Sequence, residues 1–170
     1  MNLLYDKKLT PHELYRRYVR YLTAIVARYI NNQEDIKDVL QDSFIKIFSG
    51  LDNFEYRGEG SLKAWMARIT LNETLKFLKR NSRFDTVEFS DSPLDLPADD
   101  PHSENIPTDV IFNMIRELPV GYRTVFNLYV IEGKSHKEIA DLLGISENTS
   151  ASQLHRAKAI LAEKIKKHER

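Results

Sequence analysis

Residues 135–167 read "SHKEIADLLGISENTSASQLHRAKAILAEKIKK", a pattern typical of two helices joined by a tight turn. Ser135 and Glu138 form a capping box before the first helix, Gly144 supplies the turn and Ser146 caps the second helix. A short helix, a turn with glycine and a longer helix match the helix-turn-helix arrangement. In that arrangement the second helix contacts base edges in DNA. The stretch therefore predicts helical structure and a candidate DNA reader.

A helical wheel separates two sides of the second helix. One side should face the bundle and carries Ser150, Leu154, Ala157, Leu161 and Ile165. The polar residues are candidates for base contacts, and two lysines before it are placed for phosphate contacts. These candidates are Asn148, Thr149, Ser152, Gln153, His155 and Arg156, with Lys134 and Lys137 for phosphates. The alternative is a helical hairpin whose polar side is only solvated. The histidines of this region lack ligand spacing, so no metal site is expected.

The composition of the whole chain excludes several classes of protein. The 170 residues include no cysteine, which rules out disulfides and thiolate chemistry, and 42% are apolar, enough to form a core. No apolar run approaches the roughly 20 residues that span a bilayer. The N-terminal residues lack the apolar region of a secretory signal. We expect a soluble, intracellular protein.

Charge is unevenly distributed although the net charge is +0. Residues 1–84 carry 15 Lys and Arg against 10 Asp and Glu, and residues 109–170 carry 10 against 8. Residues 85–108 carry seven acids, no Lys or Arg and four of the six prolines. Such a stretch cannot bury enough apolar surface to fold, which predicts an extended acidic linker between two domains.

The N-terminal part predicts three helices. Thr10, Pro11 and Glu13 start the first, whose apolar stripe runs to about Ile30. The stretch "NNQED" breaks this helix and begins a second amphipathic helix, whose polar side carries Asp35, Asp38, Gln41 and Asp42. After the loop "DNFEYRGEGS", Ser61 is expected to cap a third helix. The predicted fold is all-α, with two small helical bundles.

Two features of the N-terminal bundle suggest nucleic-acid binding. The third helix ends in a basic cluster on one side, as a surface that follows phosphates would, or as a solvated helix end. This cluster comprises Lys76, Lys79, Arg80 and Arg83. The preceding loop joins Phe54 and Tyr56 to two glycines, which suits unstacked bases, although both rings could simply anchor the loop. Trp65 could lie in the core or face DNA. No carboxylate pair, nucleophile set or phosphate loop is evident, so we expect neither an enzyme nor a cofactor.

The order of these segments resembles the bacterial RNA polymerase sigma factors of the extracytoplasmic-function (ECF) type. The resemblance rests on "EDIKDVLQDSFIKIF", "FEYRGEGSLKAWMARITLNETLKFLKR", the acidic linker and "ELPVGYRTVFNLYVIEGKSHKEIADLLGISENTSASQLHRAKAIL". It covers residues 8–84 and 107–168. It implies sigma region 2 in residues 1–84, a linker in 85–108 and sigma region 4 in 109–170.

The resemblance also implies roles for particular residues. The second helix would dock on the β′ clamp of core polymerase through Asp35, Asp38, Gln41 and Asp42. The loop and third helix would capture and melt the −10 element through Phe54, Tyr56, Arg57, Ser61, Asn72, Lys76, Lys79, Arg80 and Arg83. The helix-turn-helix would read the −35 element, and its bundle would sit on the β flap. The linker would lie in the RNA exit path or act as a plain spacer.

Other partners and departures follow from the same resemblance. It implies an anti-sigma protein, promoter DNA, a cytoplasmic location, no small-molecule substrate and no membrane insertion. Family members often carry Lys or Arg near Ala151 and Gln153, so this reading helix is poor in cations. Two alternatives stay open: a stand-alone dimeric helix-turn-helix regulator, and a helical adaptor without a nucleic-acid role.

Overall fold

The protein consists of two compact helical units. The computed structural model describes residues 10–81 and 106–168, and the chain divides after Leu78, within the last helix of the first unit. In these two ranges every regular element is helical, which confirms the all-α prediction. The first unit holds α1 (Pro11–Ala27), α2 (Gln33–Gly50), a 3-10 turn (Leu51–Asn53) and α3 (Ser61–Asn81). The second holds α4 (Thr108–Arg116), α5 (Val120–Phe126), α6 (His136–Leu143) and α7 (Glu147–His168).

Side-chain caps begin the first two helices where the sequence predicts. The Thr10 hydroxyl accepts from the Glu13 N–H at 3.2 Å, and the Glu13 carboxylate accepts from the Thr10 N–H at 2.8 Å. The Asn32 side chain accepts from the first N–H groups of α2. These bonds satisfy donors that lack intrahelical partners. Helix α1 ends at Ala27, earlier than predicted, yet Tyr29 and Ile30 are still buried.

The core of the first unit joins all three of its helices. It contains Leu14, Leu22, Ile25, Phe44, Ile47 and Met66. Helix α3 also buries the polar side chains of Thr70 and Thr74. Their hydroxyls are satisfied because each donates to a carbonyl one turn earlier. The buried Glu73 carboxylate forms an ion pair with Lys46 of α2. This pair ties α2 to α3 and satisfies a charge that burial would otherwise make costly.

The second unit begins with a segment predicted as linker. Ile106 packs into a core cluster with Met114, Ile115, Leu118, Ala157, Leu161 and Ile165. Pro107 stands at the cap position of α4, and Thr108 is the first helical residue. The reason is local: Pro107 holds an extended backbone, and its carbonyl accepts from the Val110 and Ile111 N–H groups. Residues 85–105 lie outside the described residues, so the rest of the linker stays a prediction.

A buried arginine closes the end of α4. The Arg123 guanidinium, 6% exposed, donates to the carbonyls of Arg116 at 2.7 Å and Leu118 at 3.1 Å. Burial lowers the pKa of Arg123, and the nearby Arg116 charge lowers it further. After α5 the chain forms a π-helical turn, Asn127–Ile131, which the sequence pattern did not predict. The turn stops before Gly133, which has a φ of 65°.

The helix-turn-helix forms as predicted. Ser135 and Glu138 make a reciprocal capping box at the start of α6. Gly144 ends that helix in the left-handed region at φ 70°, where a residue with a Cβ is strained. All five residues predicted to face the bundle from α7 are buried: Ser150, Leu154, Ala157, Leu161 and Ile165.

Candidate nucleic-acid and polymerase interfaces

An open cavity of about 490 Å³ lies between the glycine loop and α3. Its size falls in the range of roughly 300–1,000 Å³ that is usual for ligand sites. Its lining combines aromatic, amide and cationic groups: Asn53, Phe54, Glu55, Arg57, Ser61, Ala64, Trp65 and Arg68. The structure thus brings together three of the predicted −10 residues, namely Phe54, Arg57 and Ser61. Tyr56 is half-buried and is not part of this lining.

Trp65 is at once a packing residue and a cavity wall. Its ring lies 5.0 Å from the Phe54 ring, centroid to centroid, at an interplanar angle of 46°. It packs against the core cluster of this unit and is half-buried. A Cβ added at Gly50 would lie 3.0 Å from Trp65 Cζ2, so the end of α2 presses on the indole. Trp65 therefore packs on the core and also lines the cavity, and its contact with DNA stays a prediction.

The loop is held by its glycines and by one serine. Gly58 and Gly60 have φ values of 108° and 81°, which favour glycine. The Ser61 hydroxyl accepts from the Arg57 N–H at 3.2 Å. Ser61 is the first residue of α3, so the prediction that it caps this helix is wrong: the hydroxyl reaches back into the loop. This bond fixes the backbone at the cavity rim.

The basic end of α3 is exposed as predicted. Asn72, Lys76, Lys79 and Arg80 recur at helical spacing and share one side of the helix. In the described part of the chain the three cations form no ion pair with a carboxylate. Arg83 lies outside the described residues. Cations that lack carboxylate partners remain available to an anionic ligand such as a phosphate backbone.

Helix α2 presents a mixed surface to solvent. Asp38, Gln41 and Asp42 are exposed on one face, and Asp35 is half-buried. Ile45 continues the same face with a side chain that is 58% exposed. Ile45 is not among the residues predicted for this surface; the available signal was an isoleucine outside the apolar stripe of the helix. Acidic and amide groups around an exposed aliphatic side chain fit a protein partner better than DNA.

The predicted reading helix presents fewer groups than expected. Asn148, Ser152 and His155 are exposed at its start. Thr149 is half-buried, and its hydroxyl lies 2.8 Å from the hydroxyl of Ser146, which caps the helix. The Thr149 hydroxyl therefore already has a hydrogen-bond partner. Of the two lysines predicted to contact DNA phosphates, Lys137 is exposed. Lys134 lies 3.7 Å from a Glu138 carboxylate oxygen.

Gln153 corrects the sequence prediction. Its side chain is 1% exposed and cannot reach a base edge in this structure. A Cβ at Gly121 would lie 3.3 Å from Gln153 Oε1, so the amide fills the space that the glycine leaves on α5. Arg156 is half-buried, and its Nη1 lies 3.4 Å from the Tyr122 hydroxyl. The wheel placed Arg156 opposite the buried side, and only packing against α5 decides the environment of both residues.

A polar contact inside the helix-turn-helix was also missed. His136 Nδ1 lies 2.9 Å from the fully buried Ser150 hydroxyl and so links α6 to α7. The imidazole stacks on Tyr129 of the π turn at 4.7 Å. The two residues lie on different helices, so the sequence alone offered no signal for the contact. The pair holds α6 against α7 where the two helices cross.

Residues 10–81 and 106–168 contain no group of three or more His, Cys, Asp or Glu side chains that could hold a metal ion. No helix there is long and apolar enough to cross a membrane.

Comparisons with known proteins identify both units. The family model "Sigma-70 region 2" matches residues 14–84, and "Sigma-70, region 4" matches residues 109–161. The chain is 30% identical over 161 residues to "ECF RNA polymerase sigma factor SigE" of Mycolicibacterium smegmatis, a match covering 92% of this chain and 62% of that protein. It is 29% identical to the "ECF RNA polymerase sigma-E factor" of Haemophilus influenzae, with 89% and 85% covered.

A solved structure agrees on the fold. The sigma factor RpoE of Bartonella quintana, crystallised with the anti-sigma factor NepR, is 23% identical. It has a TM-score of 0.51, with 94% of this chain and 98% of that chain covered. The region 2 match precedes the region 4 match along the chain, and both relatives named above are ECF sigma factors. The chain belongs to the ECF sigma factors of bacterial RNA polymerase.

Proposed function

We propose that this protein binds core RNA polymerase and directs it to promoters with −10 and −35 elements, without being an enzyme itself. The observation that carries the proposal is the open cavity beside α3, where aromatic rings and a fixed loop meet a helix whose basic end is exposed. The domain boundaries proposed are region 2 in residues 1–84, the linker in 85–108 and region 4 in 109–170. No cofactor or small-molecule substrate is involved.

The cavity has the chemistry to hold one unstacked base. Phe54 and Trp65 offer π-faces, and the Asn53 amide and Ser61 hydroxyl lie in the lining for edge hydrogen bonds. A base that leaves the duplex loses stacking energy, which an aromatic wall can restore. Lys76, Lys79 and Arg80 would hold the adjoining phosphates. Capture of a base and attraction of the backbone together favour melting of the −10 element.

The exposed face of α2 is the proposed contact with the polymerase clamp. Asp38, Gln41 and Asp42 form its polar part, and Ile45 adds an apolar anchor beside them. Interfaces of this kind gain most from a few buried side chains and less from charges at the rim. Ile45 should therefore contribute more to binding than any one of the three polar residues.

The C-terminal unit is the proposed reader of the −35 element. Asn148, Ser152 and His155 are its exposed polar side chains, with Thr149 and Arg156 half-buried nearby. Gln153 is removed from the predicted set because it is buried. Lys137 and Lys134 are proposed for the phosphates. The β flap is the proposed docking site of this bundle on polymerase.

The proposed function implies both a cellular location and an inhibitory partner. Because bacterial polymerase works in the cytoplasm, we expect this protein there. An inhibitory anti-sigma partner is also expected, since the Bartonella quintana protein was crystallised with one. Such a partner could act by covering the α2 face, the reading helix or both.

Transcription by purified core polymerase on a promoter library tests the proposal. We expect initiation that depends on this protein and selects two short elements at a fixed spacing. The double variant Lys79→Glu/Arg80→Glu should co-migrate with core polymerase yet fail to open promoters. The control Lys166→Glu/Lys167→Glu, which reverses two exposed charges near the end of α7, should initiate normally.

The same assay separates the alternative function. A stand-alone regulator would bind a palindromic site as a dimer and need no core enzyme. Sequence-specific DNA binding without polymerase, together with failure to co-migrate with it, would favour that function and contradict ours.

A further inference from the structure

Helix α1 carries a cationic face that the proposed function does not use. Arg16, Arg17 and Arg20 are exposed on the side opposite the core residues Leu14 and Leu22. The only acidic residue of this helix is Glu13. Its carboxylate is engaged by the Thr10 N–H and hydroxyl, at 2.8 and 3.0 Å. The face is therefore positively charged.

Aromatic rings alternate with these cations in "YRRYVRY", residues 15–21. Tyr15 is 45% exposed, and the Arg17 guanidinium lies 5.7 Å from the centroid of the Tyr18 ring. Lys63 of α3 reaches across so that its Nζ lies 4.3 Å from the Tyr21 centroid. Lys63 therefore extends the cationic face from α1 onto the first turn of α3.

Within the described residues, Arg16, Arg17, Arg20 and Lys63 form no ion pair with a carboxylate. Interspersed charges of both signs are usual on a protein surface. Four cations that form no ion pair in the described parts of the chain, spread among tyrosine rings, match the phosphates and bases of a nucleic-acid strand better than a mixed protein surface.

The face lies near the base cavity. Lys63 is the chain neighbour of Ala64, which lines the cavity, so their Cα atoms are about 3.8 Å apart although the two side chains point to different sides of α3. Arg68, one turn further along α3, lines the cavity as well. A strand with one base in the cavity therefore has Arg68 beside it and reaches Lys63, and from there α1, by passing around α3.

We propose that this face, defined by Arg16, Arg17, Arg20 and Lys63, binds the single-stranded DNA that flanks the captured base. The inference rests on the proposed function, because it assigns a path to the strand that the cavity holds. Binding here adds affinity that is independent of sequence, since phosphates carry no base information. It would keep the melted strand from pairing again.

The test uses holoenzyme assembled from the full chain and core polymerase. The probe is a promoter recovered from the library, made permanently unpaired across the −10 element. In one version the non-template strand ends at the element, and in the other it extends beyond it on both sides. Affinity is measured over a range of salt concentrations for wild type, Arg16→Gln/Arg17→Gln/Arg20→Gln, and the control Lys158→Gln/Lys166→Gln/Lys167→Gln.

We expect the arginine variant to lose affinity only for the extended DNA. Each single-strand phosphate contact contributes about 0.7 to the slope of log affinity against log salt. Three lost contacts should lower that slope by about 2 and weaken binding about 10- to 100-fold at roughly 0.1 M salt. The control variant should match wild type on both probes. Replacing the same arginines with lysine should restore most of the slope.

Three results would overturn the inference while leaving the proposed function intact. The first is an unchanged salt slope on the extended DNA. The second is an equal loss on both probes, which would place the contact elsewhere. The third is a variant that no longer co-migrates with core polymerase although its thermal unfolding matches wild type. That result would show that the face contacts the polymerase and not DNA. If wild-type holoenzyme binds neither probe, the proposed function itself fails.

Discussion

Replacing Gly50 with alanine should alter the base cavity although Gly50 is not one of the residues that line it. Gly50 is the last residue of α2, with helical dihedral angles that alanine also adopts. The new Cβ would lie 3.0 Å from Trp65 Cζ2 and 3.3 Å from Cη2, closer than carbon atoms normally pack. The indole has an open cavity on one side, so it should tilt in that direction. The cavity then narrows.

The stability cost of Gly50→Ala should be small. Alanine reduces the entropy of the unfolded chain, which stabilises the fold by about 0.4–1 kcal/mol. Overpacking a side chain costs about 1–3 kcal/mol. The net destabilisation is therefore about 0–2.5 kcal/mol, toward the lower end because the ring can yield. Gly121→Ala is the matched control, because there the new Cβ meets only the end of the Gln153 side chain, at 3.3 Å.

The functional cost of Gly50→Ala should be larger. Stacking of a base on an aromatic ring contributes about 1–3 kcal/mol, or about 5- to 150-fold in binding. We expect initiation to fall by at least about fivefold, also on DNA already unpaired at the −10 element. Trp65 is the only tryptophan of the chain, so its fluorescence reports on the cavity alone. A shifted emission spectrum with unchanged initiation would refute the role of the cavity; an unchanged spectrum would refute the packing argument.

Three further predictions concern the C-terminal unit. Arg123→Met removes two hydrogen bonds from a charged donor, each contributing about 1.5–3 kcal/mol, but it also removes the cost of burying that charge. The free energy of unfolding should therefore fall by about 2–3 kcal/mol. An unchanged Tm would contradict the capping role of Arg123 at the end of α4. A double-mutant cycle of His136→Ala and Ser150→Ala should give a coupling of about 0.5–1.5 kcal/mol, and strict additivity would exclude their hydrogen bond. The pKa of Glu138 is lowered mainly by the Ser135 N–H, so its stabilisation is full above the ordinary value of 4.5 and is lost as the pH falls through the lowered value. Denaturant unfolding of Glu138→Gln should lack this acid dependence.

Local signals in the sequence were sufficient for most of the fold. Thr10 with Glu13, and Ser135 with Glu138, start helices because each pair satisfies backbone donors within four residues of chain. Gly144 marks a turn because only glycine adopts its φ without strain. Such features depend on neighbouring residues alone, so they can be read before any tertiary structure is known.

Two of the misses depend on contacts between distant segments, and one depends on a loop turned by nearby glycines. Gln153 is buried because Gly121, 32 positions earlier, leaves space for its amide. Ser61 forms a loop bond because Gly58 and Gly60 turn the chain back toward it. The His136–Ser150 pair likewise requires the helix crossing to exist before the two side chains can meet. A helical wheel reports which side of one helix is polar, but not which polar side chains the neighbouring helix covers.

The burial of Gln153 bears on how the reading helix can work. With this residue inside, the exposed start of α7 offers Asn148, Ser152 and His155, none of which carries a permanent positive charge. Phosphate contacts supply most of the affinity of a DNA-binding module, so this helix alone should bind weakly. When polymerase holds both units on one promoter, the −35 contact becomes intramolecular, and its effective concentration replaces the missing affinity. The base contacts then need only to discriminate between sequences, which uncharged hydrogen-bonding side chains do well.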